Sequence, residues 1–426
     1  MEAVILGAGL AGISAARNCN GTIFEKEKDI GGTCRSIKEQ GFIFDLGIHV
    51  LHTKNRYVLD LLMEHKNLNL KTKRRLAWIY SHKRLTKYPF QVNTYGLPKD
   101  IIAQCLNGFI NRTAKPKGKY DNYEDWVYAN FGAGISDHFY LPYSEKFWTV
   151  KAKELTTDWL DLRIPQPDLE DIIKGAMSVQ KKEFGPNAIF RYPVNGGIQR
   201  IAESMHRSDR KIIFSKEAVK IDLDKHRIHF NDHSSTTYKY LISTIPLPEL
   251  LRIIAGVPAE VIKAGKALRY NSILCINLGI KKQNINSAHW IYFPENKIAA
   301  FRISFPGNFS RFTVPAGWSS LQAEVSYSKD RPIEYKDITE KVIKDLIKTN
   351  ILKAKDKIKL INAKHIKYAY IIYDHNRINN LKIINKFLRA HNIYGSGRYG
   401  QWEYLWMDEA ILSGEKITHE IGKKIK

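Results

Sequence analysis

The chain has 426 residues, a hydrophobic fraction of 44% and a formal net charge of +24. This length is enough for two or three domains with a large buried core, and the hydrophobic fraction is ordinary for a soluble globular protein. No apolar run reaches the roughly 18 residues that a membrane-spanning helix requires. The four cysteines are isolated, and no cysteine or histidine pair has the spacing of metal ligands. We therefore predict no metal site and a reducing, cytoplasmic location.

The positive charge is spread along the chain. Its densest run is KTKRR at residues 71–75, which is too short for a basic arm of the kind that binds nucleic acid. We therefore predict no nucleic-acid partner. The charge reflects a lysine-rich composition spread along the chain or, as the alternative, assists binding of an anionic substrate or a peripheral contact with an anionic membrane. The sequence does not indicate an oligomeric state.

Hydrophobic periodicity predicts the following elements in chain order. Residues 3–19 have the pattern of a strand, a glycine turn and a helix, and residues 21–27 form the next strand. Residues 98–113 and 123–148 have apolar side chains three and four apart, which is typical of helices. Residues 209–246 alternate like the strands of a small sheet. Further predicted strands are residues 273–280, 289–295, 299–305 and 320–327, and residues 338–352 form a predicted amphipathic helix.

The first predicted turn has the sequence GAGLAG, which places Gly7, Gly9 and Gly12 between a strand and a helix. Glycines here allow a tight turn and a close approach of the backbone to a pyrophosphate, and the helix N-terminus adds N–H donors. Glu25 ends the second predicted strand, about 18 residues after Gly7, where a carboxylate accepts a hydrogen bond from a ribose hydroxyl. The combination predicts a dinucleotide-binding turn.

The next two segments resemble those of FAD enzymes in the amine-oxidase-like superfamily. EKEKDIGGTCRS, at residues 25–36, places Gly32 and Arg35 where these enzymes have their extended FAD motif. FDLGIHVLH, at residues 44–52, places Gly47 and His49 where such proteins run beside the isoalloxazine ring. The resemblance implies FAD as the cofactor.

Later stretches resemble UDP-galactopyranose mutases, above all the eukaryotic ones. The matches run in order from about residue 3 to about residue 415. They include YPFQVN at residues 88–93, a helix pair that ends in DLRIPQP at residue 167, FGPNAIFRYPVNGG at residues 184–197, WIYFPE, FRISF, and GRYGQWEY at residues 397–404. Each match alone is weak, but their order along most of the chain makes the resemblance specific.

This resemblance implies a site for a sugar nucleotide. Its diphosphate would bind two arginines from distant segments, Arg163 and Arg302, whose planar guanidinium groups suit phosphate oxygens. A ring at Tyr88 or Phe90 would stack on the base, and Gln91 would recognise its edge. The other implied contacts are Trp148, Asn187, Tyr292 and Tyr404 for the substrate, and Arg75 and Arg398 for the flavin.

The sequence also departs from the family pattern. Ile48 replaces a glycine of the family's GGH segment, which we expect to stiffen the loop near the flavin. Arg377 stands where relatives have a phosphate-binding tyrosine, and Asp408 stands where eukaryotic relatives often have asparagine. We include both as candidate substrate contacts. Ser144 and Glu145 replace an asparagine-containing pair near the sugar. The departures are compatible with a sugar diphosphate but leave the identity of the sugar open.

Together these expectations describe an α/β fold. It consists of a discontinuous Rossmann-like FAD-binding domain, a helical insert and an antiparallel-sheet substrate domain, with the sugar site between them. The predicted segments are residues 1–80, 185–265 and 385–426 for the FAD-binding domain, 98–184 for the helical domain, and 81–97 with 266–384 for the substrate domain.

The resemblance implies a mutase that interconverts pyranose and furanose forms of a UDP-sugar or another NDP-sugar for surface glycan synthesis. Catalysis would use N5 of reduced FAD, with His49 in a supporting role, no protein nucleophile, and NAD(P)H as a candidate reductant. The main alternative is an amine-oxidase-type oxidoreductase, which shares the N-terminal motif but requires an apolar substrate tunnel. A non-catalytic flavoprotein or membrane-associated scaffold for glycan assembly is a third interpretation.

Overall fold

The structure is a computed structural model that describes residues 2–64, 68–113, 120–160 and 163–425. Within these ranges, no helix combines the length and the apolar character that crossing a membrane requires. The strands are β1 (Glu2–Leu6), β2 (Asn20–Phe24), β3 (Ser36–Glu39), β4 (Phe42–Asp45), β5 (Leu70–Arg74), β6 (Ala77–Ser81), β7 (Arg84–Lys87), β8 (Ile189–Pro193), β9 (Ile212–Ile213), β10 (Ala218–Asp222), β11 (Arg227–Phe230), β12 (Ser235–Thr237), β13 (Leu241–Ser243), β14 (Tyr270–Ile280), β15 (Trp290–Tyr292), β16 (Arg302–Ser304), β17 (Ser319–Tyr327), β18 (Ile358–Ile371) and β19 (Ile393–Gly395).

The α-helices are α1 (Leu10–Asn18), α2 (Arg56–Met63), α3 (Lys99–Ile110), α4 (Tyr123–Ile135), α5 (Leu141–Trp148), α6 (Leu169–Met177), α7 (Gln199–Met205), α8 (Leu247–Ile253), α9 (Ala259–Lys266), α10 (Pro306–Phe309), α11 (Tyr335–Lys348), α12 (Arg377–Ala390), α13 (Gly397–Gly400) and α14 (Met407–Ile425). The predicted strand–turn–helix at the N-terminus is confirmed as β1 and α1. The predicted helices at 98–113 and 338–352 are confirmed as α3 and α11, and the predicted strands between residues 273 and 327 as β14 to β17.

A parallel sheet carries the glycine turn. Its strand order is β19-β13-β1-β2-β9, and each neighbouring pair is parallel. Strand β1 is buried from Ala3 to Leu6, in keeping with the apolar runs that parallel sheets require. The strands come from three separate parts of the chain, so residues near both termini lie side by side. Helix α14 then packs on α1, which brings the C-terminal segment next to the glycine turn.

A second sheet is larger and has mixed strand directions. Its order is β18-β14-β17-β16-β15-β6-β7. Strand β6 pairs in parallel with β15, whereas the other neighbours are antiparallel. The predicted antiparallel-sheet domain is confirmed, with one parallel pair, in which β6 joins the sheet from about 200 residues ahead of its partner β15. Strand β6 begins at Ala77, inside the segment 1–80 that we assigned to the FAD-binding domain.

The helical region contains a kink that periodicity does not reveal. Residues 123–148 are helical as predicted, but Gly132 has a φ of 69° inside α4. A Cβ at Gly132 would lie 1.8 Å from the carbonyl oxygen of Gly108 in α3. A π-helical turn, Ser136–Tyr140, then joins α4 to α5. The close approach of the two helices directs the aromatic side chains that follow the kink toward the centre of the molecule.

A substitution at Gly414 in α14 tests the contact between the two ends of the chain. A Cβ there would lie 2.2 Å from the Ala11 carbonyl oxygen, so the backbones of α14 and α1 must separate to admit it. We predict that Gly414→Ala lowers the free energy of unfolding by roughly 1–3 kcal/mol. The control is Gly422→Ala in the same helix, where no atom lies within 4 Å of the added methyl. We expect it to be neutral or to stabilise by up to about 1 kcal/mol. Urea denaturation of both variants measures the difference, and equal effects would contradict the close packing.

Candidate active site

The three glycines of the first turn have different structural roles. Gly7 has a φ of 100°, and a Cβ there would lie 2.3 Å from Thr244 Oγ1. A Cβ on Gly12 would lie 2.0 Å from the Gly7 carbonyl oxygen. Gly9 has an ordinary φ of −76°, and the nearest atom to its Cβ would be Gly32 Cα at 3.9 Å. The chain itself therefore requires Gly7 and Gly12, whereas Gly9 leaves open space at the start of α1.

The second glycine pair lies directly against the first turn. Gly31 donates its N–H to the Ala8 carbonyl at 2.8 Å. Glu25 is buried, and its two carboxylate oxygens accept the N–H groups of Ala8 at 2.6 Å and Glu27 at 2.9 Å. Arg35 donates from Nε to the Gly32 carbonyl at 3.0 Å and pairs with Glu27 at 2.9 Å, which lowers the pKa of the Glu27 carboxyl. These contacts bring the two sequence motifs together in one binding turn.

A cavity of about 830 Å³ begins at this turn. This volume lies within the usual range for cofactor and ligand sites. Among the residues in its wall are Gly7, Gly9, Glu25, Gly32, Arg35, Gly47, His49, Tyr88, Trp148, Arg163, Asn187, Tyr292, Arg302, Arg398 and Tyr404, all of which we predicted as site residues. The cavity joins the parallel sheet, the helical region and the large sheet.

A buried carboxylate organises the centre of the cavity. Glu324 on β17 accepts the N–H of Ile48 at 3.1 Å through Oε1. Its other oxygen lies 2.5 Å from Arg302 Nε on the neighbouring strand β16. Burial opposes the charge on Arg302, but the Glu324 carboxylate outweighs it and raises the pKa of Arg302 well above its usual value. Glu324 therefore holds the loop before His49 and the predicted diphosphate arginine together.

His49 is neutral at physiological pH. Burial lowers the pKa of its imidazole to about 4, and the charges of Arg398 and Arg302 act in the same direction. Its Nδ1 lies 3.3 Å from the Gly47 carbonyl. When Nδ1 donates to this carbonyl, Nε2 is left as an acceptor toward the cavity.

Arg163 is held in place by the C-terminal segment. Its Nη2 donates to the Tyr404 carbonyl at 2.9 Å and to both carboxylate oxygens of Glu409 at 3.1 Å. The guanidinium lies over the rings of Tyr404, 4.9 Å from the centroid, and of Trp406, 4.3 Å from the centroid. Its Nη1 is buried and has no hydrogen-bond partner among the residues that the structure describes. Arg163 thus retains donor capacity beside the cavity.

Arg398 and Tyr404, from the C-terminal segment, both lie in the cavity wall. Arg398 donates to the Leu405 carbonyl at 2.8 and 3.1 Å and to the Ala369 carbonyl at 3.3 Å. The Tyr404 ring lies within 5.0 Å of both Arg398 and Arg163. The Tyr404 N–H donates to the Tyr373 hydroxyl at 2.7 Å. The aromatic C-terminal segment is therefore part of the cavity wall.

Aromatic rings line the rest of the wall. Tyr88 and Tyr292 lie with their centroids 5.2 Å apart, and Trp148 packs edge to face on Tyr404 at 5.6 Å. Arg75 lies 4.5 Å from the Tyr88 centroid and donates to Asn187 Oδ1 and, at 2.8 Å, to the Phe184 carbonyl. Arg75 is outside the cavity wall and packs against Tyr88, which lies in that wall.

Comparison with known proteins decides the family. A model of flavin-containing amine oxidoreductases matches residues 10–348. The chain belongs to this family. A crystal structure of reduced UDP-galactopyranose mutase superimposes with a TM-score of 0.93 at 30% sequence identity, over 100% of this chain and 94% of that chain. This match confirms the resemblance to UDP-galactopyranose mutases.

Two less similar structures share the fold alone. They are a putative protoporphyrinogen oxidase from Exiguobacterium sp. 255-15, with a TM-score of 0.76 and 14% identity, and a putrescine oxidase bound to putrescine, with a TM-score of 0.66 and 13% identity. Each covers 99% of both chains. At these identities the likeness carries no information on the substrate of the flavoprotein described here.

The cofactor of this flavoprotein is FAD, and the first turn fits it. Gly9 keeps space free at the helix N-terminus, where backbone N–H groups suit a pyrophosphate. Each oxygen of Glu25 accepts one backbone N–H and retains a lone pair for a ribose hydroxyl. Further along, Gly47, His49 and Arg398 lie in the wall of the same cavity.

Two of the predicted contacts to the base do not reach the cavity. Phe90 and Gln91 are both 0% exposed and lie outside the cavity wall. Phe90 stacks on Phe139 at 5.1 Å, and Gln91 donates to the Pro165 carbonyl at 2.9 Å. A 3-10 turn at Phe90–Val92 follows Pro89 and directs these side chains into the helical region. Of the YPFQVN segment, Tyr88 reaches the cavity.

Arg377 and Asp408 are also outside the wall of the flavoprotein cavity. Arg377 is buried at the start of α12 and donates to the Trp402 carbonyl from Nε at 2.9 Å and from Nη2 at 2.5 Å. It therefore anchors the segment before Tyr404 instead of facing a phosphate. Asp408, in the first turn of α14, accepts the N–H of Glu409 at 3.0 Å.

Several wall residues of the flavoprotein escaped the sequence interpretation. The most important is Glu324, which pairs with Arg302; outside the wall, Glu409 pairs with Arg163. Glu324 had a detectable signal, because Gln322, Glu324 and Ser326 alternate with apolar residues in a predicted strand. All three side chains are buried, and Glu324 lies in the cavity wall. Glu409 had no such signal, since its partner is 246 residues away along the chain.

Gly9 allows a direct test of cofactor binding. The chain accommodates a side chain at Gly9, so we predict that Gly9→Val folds but loses FAD. The visible flavin absorbance relative to protein, after gel filtration, measures retention. The control is Gly422→Ala, whose added methyl group has no atom within 4 Å. This variant should keep the full flavin content. A yellow, stoichiometric Gly9→Val protein would contradict the assigned turn.

Proposed function

We propose that this flavoprotein is a sugar-nucleotide mutase that interconverts the pyranose and furanose forms of a UDP-sugar or a related NDP-sugar, for surface glycan synthesis. One observation carries the proposal. Arg163, Arg302, Tyr292 and Tyr404 come from distant parts of the chain and meet in the cavity that begins at the FAD-binding turn. The similarity to a UDP-galactopyranose mutase over the whole chain supports the same conclusion.

The two arginines provide for a diphosphate. A sugar diphosphate brings about two negative charges, which guanidinium groups bind well in a partly dry site. Each arginine already contacts one carboxylate, Glu409 for Arg163 and Glu324 for Arg302, which holds its guanidinium group in place. The buried Nη1 of Arg163 has no hydrogen-bond partner among the described residues, so it would donate to a phosphate oxygen without breaking a hydrogen bond seen there.

The aromatic residues position the rest of the substrate. Tyr88 and Tyr292 provide ring faces for a base and hydroxyl donors for phosphate or sugar oxygens. Burial raises the pKa of both tyrosines, so their hydroxyls remain protonated donors. Trp148 and the rings around it exclude water from the sugar, which protects a ring-opened intermediate state from side reactions.

The protein's contribution to chemistry is positioning and charge. When bound, reduced FAD supplies the nucleophile that ring contraction requires. Arg163 and Arg302 stabilise the diphosphate when its bond to the sugar breaks and hold it for return. His49, neutral and fixed by Gly47, offers a hydrogen-bond acceptor toward the cavity.

A flavin-dependent oxidoreductase is the second candidate. The family model covers amine oxidoreductases, and much of the cavity wall is apolar or aromatic. An oxidase of amines or alkenes, however, has no use for two arginines held beside the substrate region. We therefore rank it second.

The activity itself is the primary test. We expect the FAD-containing enzyme, reduced with dithionite in the absence of oxygen, to convert UDP-galactose or another UDP- or dTDP-sugar to the furanose form, measured by chromatography. The oxidised enzyme is the control and should give no product. Failure with every sugar, together with rapid oxidation of an added amine or alkene in air, would favour the oxidoreductase.

The arginines give a separate test through binding. We predict that Arg163→Ala weakens UDP binding by roughly 2 kcal/mol or more, as expected for a buried charge pair, measured by calorimetry on the oxidised enzyme. For Arg302, the change is combined with Glu324→Gln so that no unpaired carboxylate stays buried. Arg56→Ala is the matched control, because Arg56 is 87% exposed and pairs only with Asp60 among the described residues. Unchanged UDP binding in both arginine variants would refute the diphosphate site.

A further inference from the structure

His52 is a polar cavity residue without a defined role. It follows His49 by three residues and lies in the cavity wall. Its ring packs edge to face on Trp406, with centroids 4.2 Å apart. Both ring nitrogens are buried, and neither makes a hydrogen bond of normal geometry with the described residues. Buried polar side-chain atoms nearly always have a partner, so this imidazole points to a ligand that completes its hydrogen bonds.

The charges around His52 make its protonation sensitive to a ligand. Three charged side chains face it: Asp408 and Glu409 from α14, and Arg163. Burial lowers the pKa of His52 and Arg163 does the same, whereas Asp408, the Val50 backbone and Glu409 raise it. Glu409 is already paired with Arg163 at 3.1 Å. A diphosphate bound at Arg163 would add negative charge beside His52, which would raise the pKa of the imidazole and favour the protonated ring.

We propose that His52 is an additional ligand of the substrate diphosphate and takes up a proton from solvent when the sugar nucleotide binds. The inference rests on the proposed function, because it requires a diphosphate at Arg163. The protonated ring would donate one hydrogen bond to a phosphate oxygen. Its charge would offset the Asp408 carboxylate, which otherwise repels the substrate. His52 thereby makes substrate affinity depend on pH.

A purely structural role is less consistent with the contacts. The packing on Trp406 needs only a ring, which phenylalanine would supply equally well. A structural histidine is normally held by hydrogen bonds of the kind that Leu76 and His289 make at 2.9 Å. His52 lacks such a bond among the described residues and faces the cavity.

The test measures binding of UDP-galactose to the oxidised, FAD-containing enzyme, which avoids turnover. The diphosphate of UDP-galactose carries no group that titrates near neutral pH, so any proton uptake belongs to the protein. Calorimetry at about pH 6 and about pH 8, in buffers of different ionisation enthalpy, reports affinity and proton uptake together. We expect weaker binding at the higher pH, about tenfold for each unit by which the substrate raises the pKa of His52.

Two variants distinguish His52 from other groups. His52→Phe keeps a ring against Trp406 and should bind with an affinity that does not change with pH and without proton uptake. His52→Gln keeps a hydrogen-bond donor and should also lose the pH dependence while retaining more affinity than His52→Phe. The control is His138→Gln, because His138 is half-buried, contacts Gln104 and lies outside the cavity wall. This variant should behave as the wild type. Flavin absorbance and thermal unfolding check that each variant is folded.

The outcomes separate the two proposals. No binding of any UDP-sugar to the wild type would overturn the proposed function and this inference together. Wild-type binding without pH dependence or proton uptake would overturn the role of His52 alone. The same conclusion follows if His52→Phe and His52→Gln retain the pH dependence, since the proton would then reside elsewhere, for example on His49.

Discussion

The parallel pairing of β19 with β13 is the contact on which the rest of the site depends. It adds residues 393–395 to the sheet that contains the first strand, and α14 then packs on α1. Close backbone approaches fix this arrangement: a Cβ on Gly400 would lie 2.2 Å from the Ser243 carbonyl oxygen. Arg398 and Tyr404 in the cavity wall, and Glu409, which pairs with Arg163, all follow β19, so their positions derive from this one strand pair.

Charge balance is the second organising constraint. The chain carries a net charge of +24, yet its buried arginines are each matched to carboxylates or carbonyls. Arg302 pairs with Glu324, Arg163 with Glu409, and Arg398 donates to backbone carbonyls. A buried cation without acceptors would be strongly destabilising. The same partners hold the guanidinium groups in fixed positions, which is what recognition of an anionic substrate requires.

Prediction from the sequence succeeded where the requirement is local. Gly7 and Gly12 are needed by a turn that is complete within a few residues, so the GAGLAG pattern identifies it. It was less successful for side chains whose direction depends on a neighbouring element. Phe90 and Gln91 fall in a matching segment, but a short turn directs them into the helical region instead of the cavity. Strand β18 had no distinctive pattern in our interpretation, although its residues 365–370 line the cavity.

The sequence by itself determined the cofactor turn and the class of fold, and it predicted the arginines and tyrosines of a sugar-nucleotide site. Those features depend on backbone geometry and residue type over short stretches. Only the tertiary structure decided which of these residues meet. It paired Arg163 with Glu409, 246 residues apart, assigned Arg377 to the Trp402 carbonyl, and placed His52 against Trp406. Such contacts arise from the packing of distant elements, and local periodicity carries no information about that packing.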